Sequence, residues 1–181
     1  MAVHVVLLRG INLGSRNRIS MPELRGALEE AGYDDVQTYV QSGNVVLSSG
    51  KSAAAVAREV ERLIAERFGL EIAVVTRTRS ELARVVERNP LAKVAKNPKR
   101  YQVSFLEAKP KAELVRKLEA AAVDSERVVA AGREIYAWHP AGVARSKLWS
   151  LLAGQKLGVT ATARNWTTVT KLLELADPES K

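Results

Sequence analysis

Residues 3–14 read VHVVLLRGINLG, and they join a strand to an unusual loop. The nearly continuous apolar run Val3–Leu8 is typical of a central strand that is covered on both faces. The run ends abruptly at Arg9, Gly10 and Asn12, residue types that favour tight turns and polar contacts. Residues 40–45, VQSGNV, have the same character. Both segments predict loops that could hold a ligand.

The first half of the chain is predicted to contain four strands and two long helices in the order βαββαβ. Ser20 and Glu23 form a capping-box pattern at the start of the first helix, and Gly32 marks its end. After Val3–Leu8 and this helix, the predicted elements are a strand at Val36–Val40, a tight turn at Gly43-Asn44, a strand at Val45–Leu47, a helix at Ser52–Phe68, a strand at Ile72–Val75 and a short helix from Ser80 to about Arg88. This order is that of a ferredoxin-like unit.

The second half repeats the pattern of elements, although not the residues. The predicted elements are a strand at Tyr101–Leu106, a helix at Lys111–Ala121, strands at Arg127–Ala130 and Glu134–Trp138, a helix from Ser146 to Leu152, a strand at Val159–Ala163 and a last helix capped by Asn165. Lys93–Arg100 is the predicted linker. We therefore predict an α+β chain of two tandem ferredoxin-like subdomains with antiparallel sheets, each βαββαβ plus one helix, at residues 1–92 and 93–181.

The composition is that of an ordinary globular protein, with 46% of the 181 residues hydrophobic and 27% charged. No apolar run approaches a membrane span and no signal-peptide pattern is present, so we expect a cytoplasmic location and no membrane partner. The chain has no cysteine, which excludes disulfides and thiolate metal sites. Its two histidines, His4 and His139, cannot build a three-histidine zinc site, and no metal or cofactor is expected.

Positive charge is concentrated in the second half of the chain. Residues 1–76 carry eight Lys/Arg against nine Asp/Glu, whereas residues 77–181 carry twenty against eleven, for a total of +8. Such an excess favours a polyanionic partner, because the field around a protein follows its net charge. The charges are scattered along the chain, so a contribution to solubility alone is the competing interpretation.

Residues 9–20 and 40–44 are predicted to lie on one edge of the first sheet, which we call the first rim. The first and third strands of a ferredoxin-like sheet are antiparallel neighbours, so the end of one lies beside the start of the other. Glycines and a helix N-terminus would suit an anion or nucleotide there. The competing interpretation is turn chemistry, in which glycine and asparagine only satisfy the backbone. The candidate ligand-binding residues are Arg9, Asn12, Arg16, Arg18, Gln41, Ser42 and Asn44.

A second rim is predicted in the second half, where the loop His139–Lys147 approaches the segment that begins at Arg164. Its candidate residues for contact with a base or a phosphate are Lys147, Arg164, Asn165 and Trp166. The competing interpretation makes Asn165 a helix N-cap and Trp166 a packing anchor.

The sequence assigns no catalytic residue. Gly50-Lys51-Ser52 looks like the end of a phosphate-binding P-loop, but Val45 stands where that motif requires a glycine. Asp34 and Asp35 are adjacent at a turn, where aspartate is common for local reasons. Two histidines do not support a Ser/His/Asp arrangement. The sequence therefore leaves open whether the chain is an enzyme.

Five short motifs are spread along nearly the whole chain: Leu8–Gly14, Asn17–Met21, Tyr39–Val45, Ser146–Leu148 and Arg164–Leu172. Together they resemble the bacterial family known as domain of unknown function 1697. The resemblance implies two ferredoxin-like subdomains and supplies no activity, substrate or catalytic residue. Family members often have Asn where Thr167 stands and Pro where Ser20 stands. By analogy, the resemblance favours a role for the two rims beyond folding.

Three functional hypotheses are compatible with these patterns. The first is binding of an anionic partner, nucleic acid before others, through the basic second half. The second is a small enzyme or sensor for a phosphorylated or nucleotide-like metabolite at the Arg9/Asn44 rim. The third makes the motifs purely structural, so that Arg9→Ala and Asn44→Ala would mainly lower stability.

Overall fold

The computed structural model describes residues 1–154 and 157–180, and the chain divides into two compact units. The first unit is Met1–Arg84 with Lys171–Lys181, and the second is Val85–Thr170. The predicted boundary between residues 92 and 93 lies within the second unit, and the helices Arg79–Arg88 and Trp166–Leu175 are each divided between the two units.

The first unit is built on a four-stranded antiparallel sheet. Its strand order is β2-β3-β1-β4, and Val6 in β1 pairs with Val45 in β3 and Thr76 in β4. The elements are β1 (Ala2–Leu8), α1 (Met21–Glu30), β2 (Asp34–Tyr39), β3 (Asn44–Ser49), α2 (Ala53–Phe68) and β4 (Val74–Thr78), followed by α3 (Arg79–Arg88), which continues into the second unit. α1 and α2 cover one face of the sheet, where Leu24, Leu28 and Val60 pack in a single apolar core.

The second unit has the same topology. Its antiparallel strand order is β6-β7-β5-β8, and its core includes Leu106, Leu118, Ile135 and Leu148. The elements are β5 (Tyr101–Leu106), α4 (Ala112–Ala121), β6 (Arg127–Ala131), β7 (Glu134–Trp138), α5 (Lys147–Ala153), β8 (Ala161–Asn165) and α6 (Trp166–Leu175). The order of strands and helices in both units confirms the predicted α+β fold.

Local sequence accounts for where the helices begin and end. The side chain of Ser20 accepts a hydrogen bond from the Glu23 amide, and Ser52 and Ser146 cap α2 and α5 in the same way. These side chains satisfy amide groups that a helix leaves without intrahelical partners. Gly69 ends α2 in the left-handed conformation, with φ of 65°, as glycine commonly does.

Several predicted elements are displaced in the structure, and the second strand, predicted at Val36–Val40, is Asp34–Tyr39. The fourth strand was predicted at Ile72–Val75 but is Val74–Thr78, because the ladder with β1 continues through polar residues that an apolar pattern misses. The eighth was predicted at Val159–Ala163 but is Ala161–Asn165, because pairing with β5 runs to Asn165. The first hairpin turn spans residues 40–43 rather than Gly43-Asn44, since Asn44 already pairs with Tyr39.

Among the described residues, no helix is both long enough and apolar enough to span a bilayer.

Candidate functional site

The first rim brings its two loops into direct contact. The amide of Leu8 donates to the Gly43 carbonyl oxygen over 2.9 Å. The Asn12 side-chain amide donates to the Gln41 carbonyl oxygen over 2.7 Å. The loop after β1 and the β2–β3 turn therefore form one continuous surface.

The polar side chains of the loop after β1 hold the loop in shape. Asn12 Nδ2 donates to the Ile19 carbonyl oxygen, and its Oδ1 accepts from the Ile19 amide. Asn17 Nδ2 donates to the Gly10 carbonyl oxygen, and Arg18 Nη1 donates to that of Gly14. Both asparagines have positive φ, 53° and 49°, a conformation that asparagine tolerates better than most residues. These contacts favour a structural role for the two asparagines.

Asn44 is fully buried, with 0% of its surface exposed. Its side-chain amide donates to the Tyr39 carbonyl oxygen over 3.1 Å and to the Ser42 hydroxyl over 2.9 Å. The residue thus closes the β2–β3 turn from inside. The other candidates on this rim are nearer to solvent: Arg16, Arg18, Gln41 and Ser42 are exposed, and Arg9 and Asn12 are partly exposed.

We expect Asn44→Ala to lower the free energy of unfolding by about 2 kcal/mol, because the Tyr39 carbonyl oxygen and the Ser42 hydroxyl lose a donor that is itself fully buried. Urea denaturation measures the change. Gln41→Ala is the control, since the Asn12 bond uses only the Gln41 backbone. Equal stabilities of the two variants would contradict a structural role for Asn44.

Most candidate residues of the second rim also make hydrogen bonds or packing contacts within the protein. Arg164 is buried, and its Nη1 donates to Thr162 Oγ1 and to the Ala163 carbonyl oxygen. Burial lowers the pKa of Arg164 to about 10, which leaves it charged at neutral pH. Asn165 Oδ1 accepts from the Thr168 amide and so caps α6. The Trp166 ring stacks on Tyr101 with 4.8 Å between centroids.

Lys147 differs from these residues because it is exposed at the start of α5. The sheet register nevertheless shows that the two segments of the second rim share one end of the sheet. Tyr101 pairs with Trp138, which precedes His139, and Gln102 pairs with Asn165. The first rim belongs to the first unit and the second rim to the second unit.

A buried cluster of Glu126, His139 and Ser146 was not predicted. His139 Nδ1 and Ser146 Oγ each lie 2.6 Å from Glu126 Oε2, and Oε1 accepts from the Val123 amide. Since a carboxylate only accepts, Nδ1 carries the hydrogen and the serine hydroxyl donates. Burial raises the pKa of Glu126, but the hydrogen bonds from Ser146 and His139 outweigh burial, so this pKa lies below its ordinary value.

The geometry of this cluster is that of a structural link. In a serine–histidine–carboxylate triad the serine and the carboxylate contact opposite ring nitrogens. Here the hydroxyl and the imidazole both donate to one oxygen of Glu126. Ser146 Oγ also accepts from the Trp149 amide as the N-cap of α5. The hydroxyl is therefore fully engaged, and the cluster ties the segment before β6 to the loop after β7.

A second feature that the sequence pattern missed is a cleft of 390 Å³ at the start of α4, which we call the lysine cleft. Lys109, Lys111 and Lys117 line it, together with Glu113. The apolar part of its wall includes Leu114, Leu157 and Val159. The excess of positive charge in the second half predicted a basic surface, but a count of charges could not show where on the unit it lies.

The described residues contain no group of three or more His, Cys, Asp or Glu side chains that could hold a metal ion. His4 is buried in β1, and neither ring nitrogen has a hydrogen-bond partner among the described residues. His4 belongs to the first unit and His139 to the second.

Two antiparallel sheets of identical strand order define a mixed α+β protein with two ferredoxin-like units. The chain belongs to the family described as protein of unknown function DUF1697, whose model matches residues 1–136. The motifs at Ser146–Leu148 and Arg164–Leu172 lie beyond this match. No curated protein matches the chain.

A solved structure shows the same fold over almost the full length. It is the conserved bacterial protein SP0830 from Streptococcus pneumoniae, with a TM-score of 0.79 and 21% sequence identity. The similarity covers 97% of this chain and 99% of that one. At this identity the similarity establishes the fold alone.

Proposed function

We propose that the second unit binds nucleic acid through its phosphate groups, with the lysine cleft as the central contact. The observation that carries the proposal is the convergence of Lys109, Lys111 and Lys117 on one cleft. No carboxylate of the described residues forms an ion pair with any of the three ammonium groups. Their charges are therefore available to an anionic partner.

The backbone at the start of α4 supports the same conclusion. Lys111 is the N-cap of this helix, and its side chain makes no capping hydrogen bond. The first amides of a helix lack intrahelical acceptors, and together with the helix dipole they attract anions. Glu113 partly offsets the positive charge, so the cleft carries a net charge of about +2 before the helix dipole is considered.

The size and wall of the cleft suit a nucleotide unit. A volume of 390 Å³ falls within the range of about 300–1,000 Å³ typical of small-ligand pockets. Leu114 and Val159 offer apolar contact for a sugar or a base, while the lysines contact the phosphate. None of the described residues that line the cleft is aromatic, which favours binding through the backbone of the nucleic acid and little sequence preference.

The test is fluorescence anisotropy with labelled single-stranded and double-stranded oligonucleotides of mixed sequence. If three phosphates are contacted, affinity for duplex should fall about 40-fold between 50 and 200 mM salt, because counterions are released on binding. Undetectable binding at low salt would refute the proposal. Binding that does not change with salt would refute the role of the lysines.

The alternative of a phosphorylated metabolite at the first rim has less support. The side chains of Asn12 and Asn44 are used within the loops, and Asn44 is buried. Arg16 remains exposed there and could still meet an anion. A thermal shift with a metabolite that Arg9→Ala abolishes without unfolding the protein would restore this alternative.

A further inference from the structure

The first rim presents two aliphatic side chains to solvent. Leu13 is 65% exposed and Val40 is 52% exposed, and they neighbour Asn12 and Gln41, the two residues that join the loops. Val40 has a φ of 51°, an outlier for a β-branched residue. Asparagine or glycine would relieve this strain, so the fold alone gives no reason for valine at this turn.

The surroundings of these two side chains are basic. Residues 9–20 and 39–44 contain Arg9, Arg16 and Arg18 and no Asp or Glu. Asn12 and Asn17 hold the loop in one shape, which reduces the entropy lost when a partner binds. We call Leu13, Val40 and Arg16 the docking tip. Its chemistry fits an acidic partner with an apolar floor.

The same unit carries a surface with the complementary character. An open cleft of 520 Å³ is lined by Glu29, Asp34 and Asp35, and the largely buried Tyr33 and Val36 lie at its floor. Arg25 also lines it and pairs with Glu29 over 2.8 Å. Asp34 and Asp35 therefore give this acidic cleft its net negative charge.

The tip and the acidic cleft lie at opposite ends of an edge strand. β2 is the outer strand of its sheet, and it begins at Asp34 and ends at Tyr39, next to Val40. When two such strands lie side by side and antiparallel, the end of each is next to the start of the other. A single two-fold axis therefore brings the tip of each copy next to the acidic cleft of the other.

We propose that this chain forms a two-fold dimer in which the docking tip of each copy enters the acidic cleft of the other. The chain itself supplies both halves of the contact, with opposite charge and with an apolar tip facing a cleft wide enough for it. A second copy is thus the occupant that the observations favour over an unrelated acidic protein.

The first test is sedimentation velocity over a concentration series at low and high salt. We expect a dimer whose dissociation constant rises with salt, because the contact is between opposite charges near the surface. Arg16→Glu and Asp34→Lys should each raise that constant roughly 100-fold, since each creates a like-charge contact. Arg58→Glu and Glu71→Lys are matched controls on exposed positions of the same unit and should leave it unchanged.

The two charge-reversed variants also test the pairing directly. An equimolar mixture of Arg16→Glu and Asp34→Lys should dimerise again, because the reversed tip of one faces the reversed cleft of the other. A wild-type protein that stays monomeric throughout the series would overturn the proposal, including the case in which an unrelated acidic protein is the true occupant. A mixture that stays monomeric would overturn the tip-to-cleft pairing.

Val40→Asn separates docking from folding. It removes backbone strain, so the protein should unfold at a higher urea concentration, yet it removes an apolar side chain from the contact. We expect dimerisation to weaken about tenfold while stability rises. Unchanged dimerisation would show that Val40 takes no part in the contact.

Discussion

Replacing Gly43 by alanine is expected to lower the free energy of unfolding by about 4 kcal/mol. Gly43 has a φ of +83°, where a side chain costs about 1–2 kcal/mol of backbone strain. A Cβ there would lie 2.7 Å from the Leu8 Cβ and 3.0 Å from Ile11 Cδ1. Relieving that overlap in a packed core costs about 1–3 kcal/mol more.

Urea denaturation of Gly43→Ala measures this loss, and Gly14→Ala is its matched control. Gly14 has a similar φ of +60°, but nothing lies within 4 Å of the position that a Cβ would take there. The control should therefore lose only the strain, about 1–2 kcal/mol. Equal losses for the two variants would contradict the close approach of the β2–β3 turn to β1.

Replacing Glu126 by alanine is expected to lower the free energy of unfolding by about 3 kcal/mol, because His139 and Ser146 lose a shared buried acceptor. His139 is 0% exposed and cannot turn to water for a new partner. Glu119→Ala, at an exposed position on α4, is the control and should change stability by less than about 0.5 kcal/mol.

The Glu126 carboxylate also makes the free energy of unfolding depend on pH. The pKa of Glu126 is lower in the folded protein than its ordinary value of 4.5. Its contribution is therefore fully present above pH 4.5 and is lost as the pH falls through the folded pKa. We expect the gap in unfolding free energy between wild type and Glu126→Gln to shrink below pH 4.5. A gap that widens below pH 4.5 would contradict a lowered pKa of Glu126 in the folded protein.

Hydrophobic periodicity and capping residues were sufficient to predict the fold. Ser20, Ser52 and Ser146 mark helix starts in the sequence, and each one caps its helix in the structure. Val3–Leu8 is apolar on both faces and became a central strand. Strand ends were less predictable, because Thr76 and Arg77 pair in β4 although their side chains are polar.

Part of the second unit's cluster could have been found from the hairpin register. Gly132 and Arg133 connect β6 to β7, so Arg127 lies opposite Trp138. Extending that register by one residue places Glu126 opposite His139. The contribution of Ser146 depends on how α5 packs, which no local pattern contains.

The structural roles of Asn12 and Asn44 in the first rim could not be predicted from the sequence either, because they depend on tertiary contacts. Both a ligand site and a self-supporting loop use Asn at positive φ. Only the partners of Asn12 and Asn44 distinguish the two interpretations, and apart from the Ser42 hydroxyl those described above are backbone atoms of Ile19, Gln41 and Tyr39. Backbone partners carry no signature in the sequence.

The most direct test of nucleic-acid binding by the second unit compares two triple variants that remove the same charge. One is Lys109→Ala, Lys111→Ala and Lys117→Ala in the lysine cleft, and the other is Arg58→Ala, Arg62→Ala and Arg67→Ala on α2. For the lysine variant, the slope of log affinity for duplex against log salt should become shallower by about 2.7, because about 0.9 is lost per phosphate contact. For the arginine variant, the slope should barely change. Equal changes in the two slopes would contradict the proposed site.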